Sequence, residues 1–142
     1  MAQFKDIGDG FYLGAQPNEQ DLQEAKGLGV KTVIDFRLPT ETAIPNESLV
    51  TQFGLNYVNI PVSKTIPSEQ QIEELDKTLQ QKDGPFLLHC GTGMRAAMLL
   101  ALIRAKQQHW TAERTFEEAK LMGFDLNASP AFSAFVTHTV GI

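Results

Sequence analysis

The stretch "PFLLHCGTGMRAAMLLALIRAK", Pro85 to Lys106, decides how this chain folds. Its first part, "PFLLH", is a short apolar run of the kind that forms a strand buried on both faces. Its last part, "AAMLLALIRAK", is apolar nearly all round, which predicts a central, buried helix. Between them lies "CGTGMR", Cys90 to Arg95. A buried strand that passes through a glycine-bearing turn into a helix belongs to an α/β sheet, and such sheets bind ligands beyond the carboxyl ends of their strands.

The six residues of the turn carry the chemistry. A helix N-terminus offers unpaired N–H groups and the positive end of a dipole. Gly91 and Gly93 lack side chains, so the backbone can curl with its N–H groups facing inward. Arg95 can hold two oxygens of an oxyanion in its planar fork. The same positive field favours the thiolate form of Cys90. A free cysteine in an apolar strand is ordinarily core. Here the glycines, and an arginine at the start of the next helix, point instead to a functional loop. The turn matches neither the G-x-x-x-x-G-K-[ST] nor the G-x-G-x-x-G nucleotide-binding pattern.

Outward from this turn, strands and helices alternate. "FKDIGDGFYLGA" reads as two short strands around Gly8-Asp9-Gly10. Asn18 is a helix N-cap with Asp21 three residues on, and Leu22, Ala25 and Leu28 line one face of that helix. "KTVIDF" is a strand, and a short helix ending near Gly54 follows the proline-bearing loop "LPTETAIPNES". "LNYVNIPV" is the next strand. Ser68 and Gln71 form a capping box for a helix whose Ile72, Leu75 and Leu79 face inward. Thr111 caps a further helix, and Ser129-Pro130 opens the last, with Phe132, Phe135 and Val136 as its inner stripe. The expected architecture is a single α/β domain over residues 1–142. It is a three-layer sandwich whose mainly parallel sheet, of about four or five strands, is flanked by helices.

Composition narrows the class. The 142 residues carry a net charge of −5, which argues against a nucleic-acid or membrane-lipid footprint. One loop can still bind a small anion in an acidic protein. The single cysteine allows no internal disulfide and suits a reducing compartment. "MAQFKDIGDG" lacks the pattern of a signal peptide, and no apolar run is long enough to span a bilayer, so a cytoplasmic location is expected. His109 and His138 show no metal-ligand spacing with His89 and Cys90, so no metal is expected.

"HCGTGMR", His89 to Arg95, resembles the H-C-x-x-G-x-x-R signature of cysteine-dependent protein tyrosine and dual-specificity phosphatases. "GFYLGAQPNEQDLQEAKGLGVKTVIDFR" is similar to the opening of those domains, and "NYVNIPV" to the strand before their catalytic one. The chain also resembles a bacterial phosphatase-like family called beta-lactamase-hydrolase-like. Its members show a Gly-Gln-Pro near the start, an Asn-Leu-Arg-like strand end and an HC-x-x-G-x-R loop. The first two read Ala15-Gln16-Pro17 and Asp35-Phe36-Arg37 here. The resemblance implies a protein tyrosine phosphatase-like fold, a phosphorylated or other oxyanionic substrate, and no cofactor. It implies Cys90 as nucleophile and Arg95 as oxyanion clamp. It further implies the backbone of Gly91, Thr92, Gly93 and Met94 as the phosphate cradle, and His89 as support for the loop. Gln16 and Arg37, at sheet ends near the loop, are each a candidate for substrate contact or for a structural role.

Two departures bear on the reaction. Four residues separate Cys90 from Arg95, where the phosphatase signature has five, and Ala96 stands where Ser or Thr usually follows the arginine. A four-residue spacing is similar to that of rhodanese-type sulfurtransferases, which carry a persulfide on the cysteine. The loop after "NYVNIPV" reads "SKTIPSEQ" and lacks the aspartic acid that phosphatases use as general acid. Glu69 is its one carboxylate, and Glu41 is a second weak candidate. Three readings follow. The first is a phosphatase-like hydrolase working through a cysteinyl-phosphate. The second is a rhodanese-like sulfurtransferase with a persulfide on Cys90. The third is a non-catalytic oxyanion-binding module.

Overall fold

The computed structural model describes residues 4–38, 46–63, 65 and 67–140. Glu41 and most of the proline-bearing loop around it lie outside the described residues. The elements in order are β1 (Phe4–Gly8), β2 (Phe11–Gly14), α1 (Glu19–Gly27), β3 (Thr32–Asp35), α2 (Asn46–Gln52) and β4 (Asn56–Asn59). Then come α3 (Glu69–Gln81), β5 (Phe86–His89), α4 (Met94–Gln108), α5 (Ala112–Leu121), a 3-10 turn (Leu126–Ala128) and α6 (Pro130–Val140).

Five strands form one sheet in the order β1-β2-β5-β3-β4. β1 and β2 are an antiparallel hairpin around Gly8-Asp9-Gly10. β2, β5, β3 and β4 are all mutually parallel neighbours, so their carboxyl ends share one edge. β5 is central, paired through the same four residues to Phe11–Gly14 on one side and Thr32–Asp35 on the other. Every residue of β3 and of β5 is buried, as expected for strands covered on both faces.

Two apolar cores separate the layers. On one face Leu22 and Ala25 of α1 and Val50 of α2 pack with Val33 and Leu87. On the other, α3, α4, α5 and α6 pack on Leu13, Ile34 and Leu88. α4 is enclosed within this second layer, with ten of its fifteen residues buried, from Arg95 to Ala105. That is why its sequence shows no apolar stripe: it has almost no solvent-facing side to mark with polar residues. Asn18 with Asp21, and Ser68 with Gln71, form reciprocal capping boxes at α1 and α3. Thr111 caps α5 by accepting from the Arg114 N–H. Among the described residues no helix is long and apolar enough to cross a membrane.

Candidate functional site

β5 ends at His89, and Cys90 is the first residue beyond it, with 0% of its surface exposed. The chain turns through Gly91 and Thr92, both exposed, and enters α4 at Gly93. Gly93 has φ of 105°, the left-handed region that favours glycine. A Cβ there would lie 2.7 Å from Cζ of Phe124 and 3.2 Å from the carbonyl oxygen of Gly14, so the position excludes any side chain. The turn aims the Gly93 N–H at Cys90 Sγ, 3.0 Å away. No side chain caps α4. The sulfur therefore receives an N–H at the N-terminal end of α4, the positive end of that helix's dipole. Met94 N lies 3.4 Å from Thr92 Oγ1, a long contact that leaves this amide weakly engaged.

Arg95, in the first turn of α4, is 3% exposed. Its Nη1 donates to the carbonyl oxygens of Val62 at 3.1 Å and Phe36 at 3.4 Å. Its Nη2 lies 3.5 Å from the point a Gly91 Cβ would occupy, so the guanidinium sits against the loop. Cys90, the loop backbone and Arg95 are thus brought together at the carboxyl edge of the sheet. Gln16 joins them through its main chain: its N–H donates to the Gly91 carbonyl at 3.4 Å, while its side chain is exposed.

His89 and Arg37 lie deeper. The His89 ring is fully buried and hydrogen-bonds the backbone of Cys90. Burial drives its pKa down to about 4, so it is neutral near pH 7. Its Nδ1 is 3.9 Å from Asp35 Oδ1. A neutral imidazole is no counter-ion, and the carboxylate is balanced by Arg37. The Arg37 Nε and Nη2 donate to Asp35 at 3.0 and 2.9 Å, and its backbone N–H adds a third bond at 2.9 Å. Tyr57 donates its hydroxyl to the same carboxylate at 2.8 Å. Burial raises the Asp35 pKa, but the bonds from Arg37 and Tyr57 outweigh it and hold the group below its ordinary value. The Tyr57 hydroxyl is pushed above its ordinary value by burial and by Asp35. Arg37 is 2% exposed and pairs with this carboxylate, which is the structural role of the two open to it. Its Nη1 finds no hydrogen-bond partner among the described residues.

The two carboxylates considered as acids fare differently. Glu69 is exposed in the first turn of α3. It lines a cavity of about 530 Å³ with Leu102, Ala105, Lys106, His109 and Trp110, and no residue from 90 to 95 borders it. Ala105 is ten residues beyond Arg95, about 15 Å along the helix axis. Glu41 lies outside the described residues. Among the described residues no cluster of His, Cys, Asp or Glu is arranged to hold a metal.

Sequence reasoning passed over Asp35, Tyr57, Asn59 and Phe124. The first carried a signal, since Asp35 and Arg37 stand two apart at a strand end and so share a face. The other three reach the site from other elements and carried none.

The family model described as "DSP-PTPase phosphatase fused to NAD+ Kinase" matches residues 3–134. A beta-lactamase hydrolase-like protein of Xylella fastidiosa is 27% identical over 128 residues, covering 85% of this chain and 29% of that protein. The chain spans about a third of the length of the curated relatives it matches. Among solved structures, a candidate phosphatase (DUF442) from Shewanella putrefaciens superposes with a TM-score of 0.79 at 28% identity, covering 98% of this chain and 89% of that one. TpbA of P. aeruginosa, solved as a cysteine-to-serine variant in complex with pTyr, superposes at 0.78 with 22% identity. That likeness covers 94% of this chain and 82% of TpbA, and it bears on the fold. With a five-stranded, mostly parallel sheet between helical layers and a family match over nearly its whole length, the chain belongs to the dual-specificity and protein tyrosine phosphatase family described as fused to NAD+ kinase.

Proposed function

We propose that the chain hydrolyses phosphate monoesters through a cysteinyl-phosphate. One observation carries the reading: the Gly93 N–H meets Cys90 Sγ at 3.0 Å where α4 begins, with Arg95 packed against the same loop. The Cys90 thiolate attacks phosphorus. The phosphorus–oxygen bond breaks and the leaving oxygen departs with the electron pair. Water then attacks the cysteinyl-phosphate, releasing phosphate and restoring the thiolate. The amides of Gly91 to Met94, with Arg95, stabilise the charge that builds on the phosphoryl oxygens. His89, neutral and buried, fixes the backbone of Cys90 rather than exchanging a proton with substrate.

The segment from Ile60 to Ser68 holds no carboxylate, and Glu69 faces a different cavity. General acid help is typically worth about 10²–10⁴-fold. Without it, hydrolysis should fall steeply as the leaving-group pKa rises, so activated aryl phosphates are the preferred class over serine or threonine phosphates. TpbA, solved with pTyr, is in keeping with an aryl ester at such a loop. The test is a series of aryl phosphates of graded leaving-group pKa, run on the wild type and on Cys90→Ser. A steep dependence that vanishes with the cysteine is expected. A flat dependence with a bell-shaped pH profile would show that an acid is in place.

The four-residue spacing between Cys90 and Arg95 favours a second reading, a sulfurtransferase. Thiosulfate treatment followed by mass spectrometry separates the two. One added sulfur on Cys90, together with thiocyanate release on adding cyanide and no phosphate release from aryl phosphates, would replace the hydrolase.

A further inference from the structure

Among the described residues Arg95 donates to two carbonyl oxygens, and one of them is itself held from several sides. The Phe36 carbonyl accepts from Arg95 Nη1 at 3.4 Å and from the Val62 N–H at 3.0 Å. Val62 in turn gives its own carbonyl to Arg95 at 3.1 Å. Phe36 is fully buried, and its N–H donates to the His89 carbonyl at 2.9 Å. On either side of it, Asn59 Nδ2 donates to the carbonyls of Asp35 at 2.8 Å and Arg37 at 3.0 Å. The Asp35 carboxylate closes the same three residues a second way by binding three nitrogens of Arg37, and Tyr57 fixes the carboxylate from β4.

A buried ion pair is a poor source of net stability, because desolvation offsets most of its attraction. Its best-attested use is to fix one arrangement over others. Here the arrangement fixed is the backbone that aims a carbonyl at the guanidinium. We infer that Asn59, Asp35 and Tyr57 are positioning residues for the Arg95 guanidinium, acting through the Phe36 carbonyl. The inference rests on the reading of Arg95 as the oxyanion clamp. None of the three side chains is assigned a contact with substrate: they act one bond removed, by setting where the fork sits against the loop.

A double-mutant cycle in the 142-residue chain tests this, with the dissociation constant of inorganic phosphate as readout. Asn59 is exposed on the edge strand and Tyr57 is half-buried there, so Asn59→Ala and Tyr57→Phe should both fold, which a thermal melt verifies. With Arg95 present, Asn59→Ala should weaken phosphate about threefold to tenfold, and Tyr57→Phe less. In an Arg95→Ala background both effects should disappear, because the group they position is gone. Equal losses in the two backgrounds, or no loss from Asn59→Ala beside a clear loss from Arg95→Ala, would overturn the inference and leave the clamp standing. If Arg95→Ala alone left phosphate affinity unchanged, the clamp itself would fall, and the inference with it.

Discussion

α1, α3 and α5 begin alike, and α4 begins differently. Asn18, Ser68 and Thr111 each turn a side-chain oxygen onto an amide of the first turn of their helices. At α1 and α3 the bond is returned, from the Asn18 N–H to Asp21 at 3.0 Å and from the Ser68 N–H to Gln71 at 2.9 Å. α4, the helix most enclosed in the core, starts at a glycine with no side-chain cap. A capping oxygen occupies the position that a bound anion would take. In α1, α3 and α5 that position is filled by the chain itself, for stability. In α4 it is left to a sulfur and, in the proposed function, to phosphate.

Four measurements can break or sharpen this contrast. The largest effect should come from Cys90→Ser and Arg95→Ala read together. The first should lower aryl phosphate hydrolysis by about three orders of magnitude or more, while phosphate affinity stays within about threefold. The second should weaken phosphate by about tenfold or more. Steady-state kinetics and titration calorimetry separate the two. If both variants lost affinity equally, sulfur rather than the amide cradle would be the main anion contact.

Gly93→Ala comes next. The substitution combines a φ of 105° with a Cβ 2.7 Å from Phe124, so a loss of about 2–4 kcal/mol is expected, along with phosphate binding. Gly123 has nearly the same φ, 104°, but open space around it. Gly123→Ala should cost about 1 kcal/mol and leave phosphate binding alone. Denaturant titration in phosphate-free buffer checks both, and equal costs would mean that Phe124 yields readily.

The third measurement concerns His89. A base whose pKa is about 4 when folded and 6.5 when unfolded takes up its proton more readily after unfolding. Stability is then fully present above pH 6.5 and is lost as pH falls towards 4, by on the order of 3 kcal/mol. Asp35, held below its ordinary 3.8, adds a loss of the same sign at still lower pH. Denaturant midpoints between pH 7 and 4 should show this slope, and His89→Asn should flatten the part above pH 4. An unchanged slope in that variant would assign the acid sensitivity elsewhere. The smallest effect belongs to the ordinary helix starts. Asn18→Ala should cost about 1 kcal/mol and leave phosphate affinity untouched.

Much of this contrast was readable in the chain. Asn18 with Asp21 and Ser68 with Gln71 announce their helix starts by local spacing, which needs no knowledge of distant residues. The buried β5 and α4 are equally plain from their apolar runs, and the turn between them from its two glycines. What failed to show is what travels through space. Asp35-Phe36-Arg37 read as a strand end whose arginine could serve substrate or structure. The structure turns Arg37 onto Asp35, and the partners that complete the hub, Tyr57 and Asn59, arrive from β4 through the parallel register of β3 with β4. The 1-2-5-3-4 strand order was likewise out of reach, since it places β5 between β2 and β3 by crossovers that no local pattern encodes. The wall that Phe124 builds against Gly93 depends on where α5 ends relative to β2, which is again a matter of packing.

Cys90 is the one sulfhydryl among these 142 residues, and that has a consequence under oxidising stress. Under the proposed function, a sulfur that attacks phosphorus is also a target for peroxide, whose first product is a sulfenic acid. Enzymes with a second cysteine nearby can trap that product as an internal disulfide and so halt further oxidation. Within these residues there is no such partner, so an external thiol must condense with the sulfenic acid and a second thiol must then release the enzyme. Recovery after brief peroxide exposure should therefore scale with the concentration of added glutathione, and without it the loss should become permanent as the sulfur passes to sulfinic acid.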